Sequence, residues 1–129
     1  MKKPLVAGAA LAFDLLAGSA LAHHSGAAFD PAQTVAVDGT VARVEWQSPH
    51  ARLYVDAKDE HGNAVLWNIE LPSPNTLMRR GWTRDSLKPG DPVSLKVHPA
   101  RNYPNVAWAV NVVDASGKQL YAGSASATQ

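Results

Sequence analysis

Apolar and polar residues alternate along most of the chain after Thr34, and this period of two predicts β-strands. The first run contains Asp38-Gly39, where a glycine allows a strand to bend and a sheet to curl. A polar turn separates the second and third runs, which predicts a hairpin. Five strands are therefore expected, at about 34–46, 51–57, 64–71, 93–98 and 106–113.

The segment between the third and fourth runs predicts a helix of about two turns, from Pro74 to Gly81. Ser73 suits the N-cap, Pro74 the first helical position, and Arg79 and Arg80 the C-terminal end of the helix dipole. Three strands, a short helix and two strands are the order of an oligonucleotide/oligosaccharide-binding (OB) barrel. The predicted fold class is therefore all-β, a small five-stranded OB-like Greek-key barrel with one short helix between strands three and four.

Residues 1–22 have the three-part layout of a bacterial secretory signal peptide. Lys2-Lys3 precede an apolar stretch, and Ala20-Leu21-Ala22 provides the small residues that signal peptidase requires. The stretch is interrupted by Asp14 and is too short to cross a bilayer of about 30 Å as a helix. The chain has no cysteine to carry a lipid. We therefore expect a periplasmic or secreted protein with no membrane anchor after cleavage.

The rest of the chain is expected to form one domain, because about 107 residues suffice for a single core. An N-terminal segment at 23–33 precedes the barrel at 34–122, and the Ala/Ser/Gly/Thr-rich tail at 123–129 is expected to be disordered. Removing the signal peptide leaves ten basic and ten acidic residues. A nucleic-acid partner is not expected, because such proteins normally carry a clustered basic surface.

The histidines suggest a metal site. Cleavage after the signal would leave His23 as the first residue, and its α-amine and ring can chelate a metal. In an OB-like barrel the loops joining strands one to two and four to five flank the ligand face, and these loops are expected to carry His50 and His98. One of these imidazoles would complete a T-shaped, three-nitrogen site suited to Cu(II). Cleavage one residue earlier would place His24 third from the amine, an arrangement that also binds Cu(II). His61 belongs to the opposite loop and is expected to be solvated.

A metal-free alternative uses the outward face of the second and third strands. Arg52, Tyr54, Asn68 and Glu70 would lie on that face, with Trp46 near it. An aromatic ring with charged and amide neighbours could hold a glycan, a peptide or a partner protein, although an ordinary solvated face has the same composition. Most tryptophans in so small a domain are expected to pack in or around the core.

The sequence gives little support to an enzyme. It contains no zinc-protease, serine-hydrolase, phosphate-loop or dithiol motif, and without cysteine a thiol nucleophile is excluded. A copper oxidase acting on polysaccharides would use the same chelate, but the short chain leaves little to build a substrate platform and a protected axial position. We expect a non-enzymatic binding domain, with copper as the only cofactor suggested and a metal ion, a small ligand or a partner protein as its partner.

Several short motifs are spaced along nearly the whole mature chain, at Ala22-His23-His24-Ser25, Phe29-Asp30, Gly39-Thr40-Val41, Trp46, Ser48-Pro49-His50, Trp67, Glu70, Ser73-Pro74-Asn75-Thr76-Leu77, Arg80-Gly81-Trp82-Thr83, Leu87-Lys88-Pro89-Gly90-Asp91 and His98-Pro99. In this combination the chain resembles a family of small exported bacterial proteins that is classed as a domain of unknown function. The resemblance implies export and a compact β domain, and it supplies no catalytic residues. Members usually carry a large apolar residue in place of Gly26 and an asparagine in place of Ser48, and the second departure leaves His50 in position.

Overall fold

A computed structural model describes residues 28–123, and five of its strands close into a barrel. The order of neighbouring strands is β3-β2-β1-β4-β5, and a parallel pairing of β3 with β5 closes the ring. This confirms the predicted five-stranded barrel with a short helix between the third and fourth strands. The elements are β1 (Val35–Glu45), β2 (Arg52–Lys58), β3 (Ala64–Glu70), α1 (Pro74–Arg79), β4 (Pro92–Pro99), β5 (Val106–Asp114) and β6 (Gln119–Ala122).

The long first strand passes from one partner to another at Gly39. Residues 35–40 pair with β4, whereas residues 39–45 pair with β2, so Gly39 belongs to both ladders. A Cβ atom at this position would lie 2.1 Å from the carbonyl oxygen of Asp56. Only glycine therefore allows the two strands to approach closely enough for the sheet to curl.

The inward faces of the strands form the core, as the alternation predicts. Leu53, Val55 and Ile69 are fully buried, and Leu95 is 3% exposed. Helix α1 adds Leu77 to this core and is capped by Ser73, whose hydroxyl accepts a hydrogen bond from the Thr76 amide. The helix ends at Arg79, two residues before the predicted end, because the backbone turns away at Gly81 with a φ of 88°.

A sixth strand, β6, was not predicted from the sequence. It pairs antiparallel with β5 after the turn at 114–118, and its Tyr121 is 2% exposed. The Trp82 indole N–H donates to the Leu120 carbonyl, and Arg80 Nη1 donates to the Ala122 carbonyl at 2.8 Å. Four residues are too few for alternation to be recognised, and these contacts with the segment after α1 hold the strand in place.

The segment before β1 lies against the barrel beside the end of β4. The Asp30 amide donates to the Pro99 carbonyl, and the Arg101 amide donates to the Ala28 carbonyl, each at 2.9 Å. The Asp30 carboxylate also pairs with the Arg101 guanidinium at 3.2 Å. The backbone between these bonds brings Phe29 into an antiparallel bridge with Ala100. Residues 28–33 are therefore docked on the barrel.

The expected signal peptide, His23, His24 and the tail beyond Gly123 lie outside the described residues. Between residues 28 and 123 the structure contains no helix with the length and apolar character needed to cross a membrane.

Candidate binding site around Trp108

Four strands place one side chain each in a row on the outer face of the barrel. The strand register pairs Arg52 with Glu70, Glu70 with Trp108, and Trp108 with His98. Directly paired residues on neighbouring strands share a face of the sheet. The chain neighbours of Arg52, Glu70 and Trp108 are buried in the core, as is Val97 before His98, so the row itself faces outward. Residues far apart in sequence thus meet around Trp108.

Trp108 is 8% exposed although it faces outward, because two other aromatic groups cover it. The Phe29 ring of the docked segment lies 6.1 Å from the Trp108 ring, centroid to centroid. The His50 ring, from the β1–β2 loop, lies 5.5 Å away in an edge-on geometry. The indole is therefore the point at which the N-terminal segment, the barrel and the β1–β2 loop meet.

His98 anchors the same segment at a second point. Its Nδ1 lies 2.6 Å from the Gln33 carbonyl oxygen. Because a carbonyl only accepts hydrogen bonds, Nδ1 carries the hydrogen, and the lone pair of the neutral ring is on Nε2. The expectation that His98 belongs to the loop between strands four and five is wrong. It lies within β4, because that strand continues to Pro99 and pairs His98 with Trp108.

His50 is connected to the predicted ligand face through Glu70. His50 Nε2 is 3.4 Å from Glu70 Oε1, and Arg52 Nη2 is 3.8 Å from Glu70 Oε2. Arg52 also donates to the Asn68 side-chain oxygen at 3.2 Å. Glu70 is 8% exposed, and these basic neighbours compensate the cost of its burial. The structure therefore brings together Arg52, Asn68 and Glu70 with His50.

The aromatic residues suggested for that face already have partners. The Arg43 guanidinium lies 3.6 Å from the centre of the Tyr54 ring and therefore covers one face of that ring. Trp46 is partly buried and packs against the core. His61 lies in the turn between β2 and β3, exposed and 3.4 Å from Glu60, as expected.

A pocket of about 290 Å³ opens beside His50 and Trp108. Arg79 and Arg80, from the end of α1, and Tyr121 of β6 also line it. Burial raises the pKa of Tyr121 above its ordinary value of 10.0, against the opposing effect of the Arg80 charge, so the phenol is neutral at physiological pH. Within residues 28–123, three buried polar atoms on the lining residues have no hydrogen-bond partner, namely His50 Nδ1, Trp108 Nε1 and Tyr121 Oη.

The described part of the chain does not supply a metal site by itself. It contains no group of three or more His, Asp or Glu side chains that could hold a metal ion. His50 and His98 both adjoin Trp108. His23, whose α-amine and ring the sequence suggested as ligands, lies outside residues 28–123.

The position of Trp108 at the centre of the site, in contact with Phe29 and His50, was not predicted from the sequence. The signal was present, because Trp108 stands between two alanines that enter the core, and alternation then places the indole outside the barrel. Phe29 is part of a motif but had no role assigned. The contribution of Arg79, Arg80 and Tyr121 to one pocket depends on β6, which the sequence pattern did not reveal.

A family model described as a family of unknown function (DUF6152) matches residues 12–107, which is more than half of the chain. The matched range contains Phe29, His50 and His98 and ends one residue before Trp108. No curated protein and no solved structure matches the chain.

Proposed function

The chain belongs to DUF6152, a family of unknown function from which no activity carries over, and we propose that it is an exported binding domain for Cu(II) rather than an enzyme. The binding region is the outer face around Trp108. The observation that carries the proposal is the docking of residues 28–33 against the barrel, with the Phe29 ring beside Trp108 and the Gln33 carbonyl at His98 Nδ1. Docking places Ala28 beside Arg101, near the end of β4 that carries His98.

The distances allow His23 to reach either barrel histidine. With cleavage after Ala22, His23 precedes Ala28 by five residues, and five extended residues span at most about 17 Å. The rings of Phe29 and His50 both lie beside the Trp108 ring, so their centres are no more than about 12 Å apart. His98 is the cross-strand neighbour of Trp108, and its Nδ1 lies 2.6 Å from the carbonyl oxygen of Gln33 in the docked segment.

The surroundings of His98 suit metal ligation, and those of His50 meet part of the same requirement. Histidines that bind metals usually direct their other ring nitrogen to a carboxylate or a backbone carbonyl, which fixes the tautomer. The Gln33 carbonyl takes this position at His98 Nδ1. At His50 the Glu70 carboxylate lies 3.4 Å from Nε2, and Nδ1 is buried, so Nδ1 would have to become accessible before it could bind a metal. One of these imidazoles, together with the α-amine and ring of His23, gives the three nitrogen donors that favour Cu(II).

The test is a Cu(II) titration of protein that begins at His23. One equivalent should bind at neutral pH, and binding should weaken as the pH falls because protons compete for the amine and the imidazoles. His23→Ala and a one-residue extension before His23 should abolish tight binding, and either His50→Ala or His98→Ala should do the same. His61→Ala is the matched control and should bind as the unaltered protein does.

Other results would overturn the proposal in distinguishable ways. Loss with His23→Ala alone, with both barrel variants unaffected, would mean that the N-terminal peptide binds copper without the barrel. Unchanged affinity across the whole set would refute copper binding. A metal-free glycan, peptide or protein ligand on the face of Arg52, Tyr54, Asn68 and Glu70 would then be the next hypothesis to test.

A further inference from the structure

The pocket beside α1 has room for a small organic molecule. Its volume of about 290 Å³ corresponds to roughly ten water molecules at about 30 Å³ each. Pro49, Pro72 and the Trp108 ring provide apolar surface on its walls, and Ser73 and Thr76 provide hydroxyl groups. Clefts that combine apolar walls with a few polar groups are typical of small-molecule sites.

Two guanidinium groups give the pocket a positive rim. In the described part of the chain, no carboxylate lies within ion-pair distance of Arg79 or Arg80. Arg80 is held by its bond to the Ala122 carbonyl, with its guanidinium 5.0 Å from the centre of the Tyr121 ring. Arg79 donates to the Thr76 hydroxyl at 3.3 Å. A guanidinium has five N–H donors, so both groups retain donors for an anion.

Two buried atoms without hydrogen-bond partners also favour a ligand that carries hydrogen-bond acceptors. Trp108 Nε1 can only donate a hydrogen bond, and the neutral Tyr121 hydroxyl can also donate one. Neither has a partner among residues 28–123, and both residues are more than nine-tenths buried. Buried donors without partners are costly and rare, and an unfilled ligand site is one explanation for them. Both atoms therefore lack the acceptor that an oxygen-bearing ligand could supply.

The acidic residue that contacts the pocket wall does not oppose an anion. Glu70 contacts His50, but its carboxylate faces His50 and Arg52 at 3.4 and 3.8 Å, and Glu70 does not line the pocket.

We infer that this pocket binds a small organic carboxylate, with the carboxylate at Arg79 and Arg80 and the apolar body against Trp108, Pro49 and Pro72. Arginine suits this role because its planar fork can donate two parallel hydrogen bonds to one carboxylate. The site goes beyond the proposed function, because it uses neither His23 nor a metal.

Benzoate is the probe, and the indole N–H resonances of ¹⁵N-labelled, metal-free protein are the readout. The Trp108 resonance, assigned with Trp108→Phe, should shift saturably with benzoate concentration. The Trp82 resonance should not shift, because that N–H already donates to the Leu120 carbonyl. Arg80→Gln should weaken binding about tenfold or more, the usual effect of losing a hydrogen bond to a charged group. Arg84→Gln is the control, because Arg84 is exposed on the same segment and does not line the pocket.

Three results would refute the inference. Absence of a saturable shift of the Trp108 resonance at millimolar benzoate would leave the pocket without a ligand of this class. Equal weakening by Arg80→Gln and Arg84→Gln would show a general charge effect. Tighter binding of inorganic phosphate than of benzoate, measured in a separate titration, would show that the apolar walls do not contribute. Because no copper is present, none of these outcomes bears on the Cu(II) proposal.

Discussion

Replacing Phe29 with alanine should release the N-terminal segment while leaving the barrel folded. Phe29 is 6% exposed and contacts Trp108. Burial of a phenylalanine side chain contributes about 1.5–3 kcal/mol, and an aromatic pair adds about 0.5–1.5 kcal/mol. We therefore expect the docking free energy to fall by about 3 kcal/mol, or about a hundredfold in the docking equilibrium.

Amide hydrogen exchange can measure this loss locally. The Asp30 and Arg101 amides donate to the Pro99 and Ala28 carbonyls, so they report on docking. Their protection should fall by about a hundredfold in Phe29→Ala, because protection follows the free energy of local opening. Protection of core amides such as that of Leu95 should change much less, since the inward face of the barrel is untouched.

Tyr103→Ala provides the matched control. Tyr103 is an aromatic residue near the same end of β4, but it is 69% exposed. Its loss should leave the protection of both reporter amides unchanged. If Phe29→Ala also left them unchanged, docking would not depend on the Phe29–Trp108 contact, and the basis for placing the N-terminus beside His50 and His98 would be lost.

Three further predictions concern the core, the buried phenol and export. Leu95→Ala should lower the unfolding free energy by about 2–5 kcal/mol in a denaturant titration, because Leu95 is 3% exposed in the core; a loss below about 1 kcal/mol would contradict its burial. The raised pKa of Tyr121 means that the folded state holds the phenolic proton more tightly, so stability should fall as the pH rises past about 10, and Tyr121→Phe should reduce that fall. An equal fall in both proteins would contradict this. The intact mass of protein recovered from the export compartment should correspond to a chain starting at His23, and a chain starting at Met1 would contradict export.

The barrel was predictable because its strands are seven or more residues long, because β2 and β4 alternate clearly, and because Gly39 stands where the sheet must curl. Period-two patterns at Leu53, Val55 and Leu95 identified the inward face correctly. Strand β6 was not predictable in the same way. It has four residues, and its position depends on bonds from Trp82 and Arg80 that connect distant parts of the chain.

The candidate site was predictable only in part. The sequence singled out His50, His98, Arg52 and Glu70, and the structure places all four around Trp108. It could not show that His98 pairs with Trp108 or that His50 contacts Glu70, because both facts depend on how the strands pair. The docking of Phe29 likewise depends on a backbone bridge to Ala100, for which a single aromatic residue gives no periodic signal.

The most direct measurement of the Cu(II) site counts the imidazoles on the bound metal. Pulsed electron paramagnetic resonance of the one-to-one Cu(II) complex detects the remote nitrogen of each coordinated imidazole. If the barrel completes the site, the bound Cu(II) should have two coordinated imidazoles, one from His23 and one from His50 or His98. Replacing the contributing barrel histidine with alanine should reduce the number to one. A single imidazole in the unaltered protein would contradict the proposal that His23 and the barrel bind the metal together.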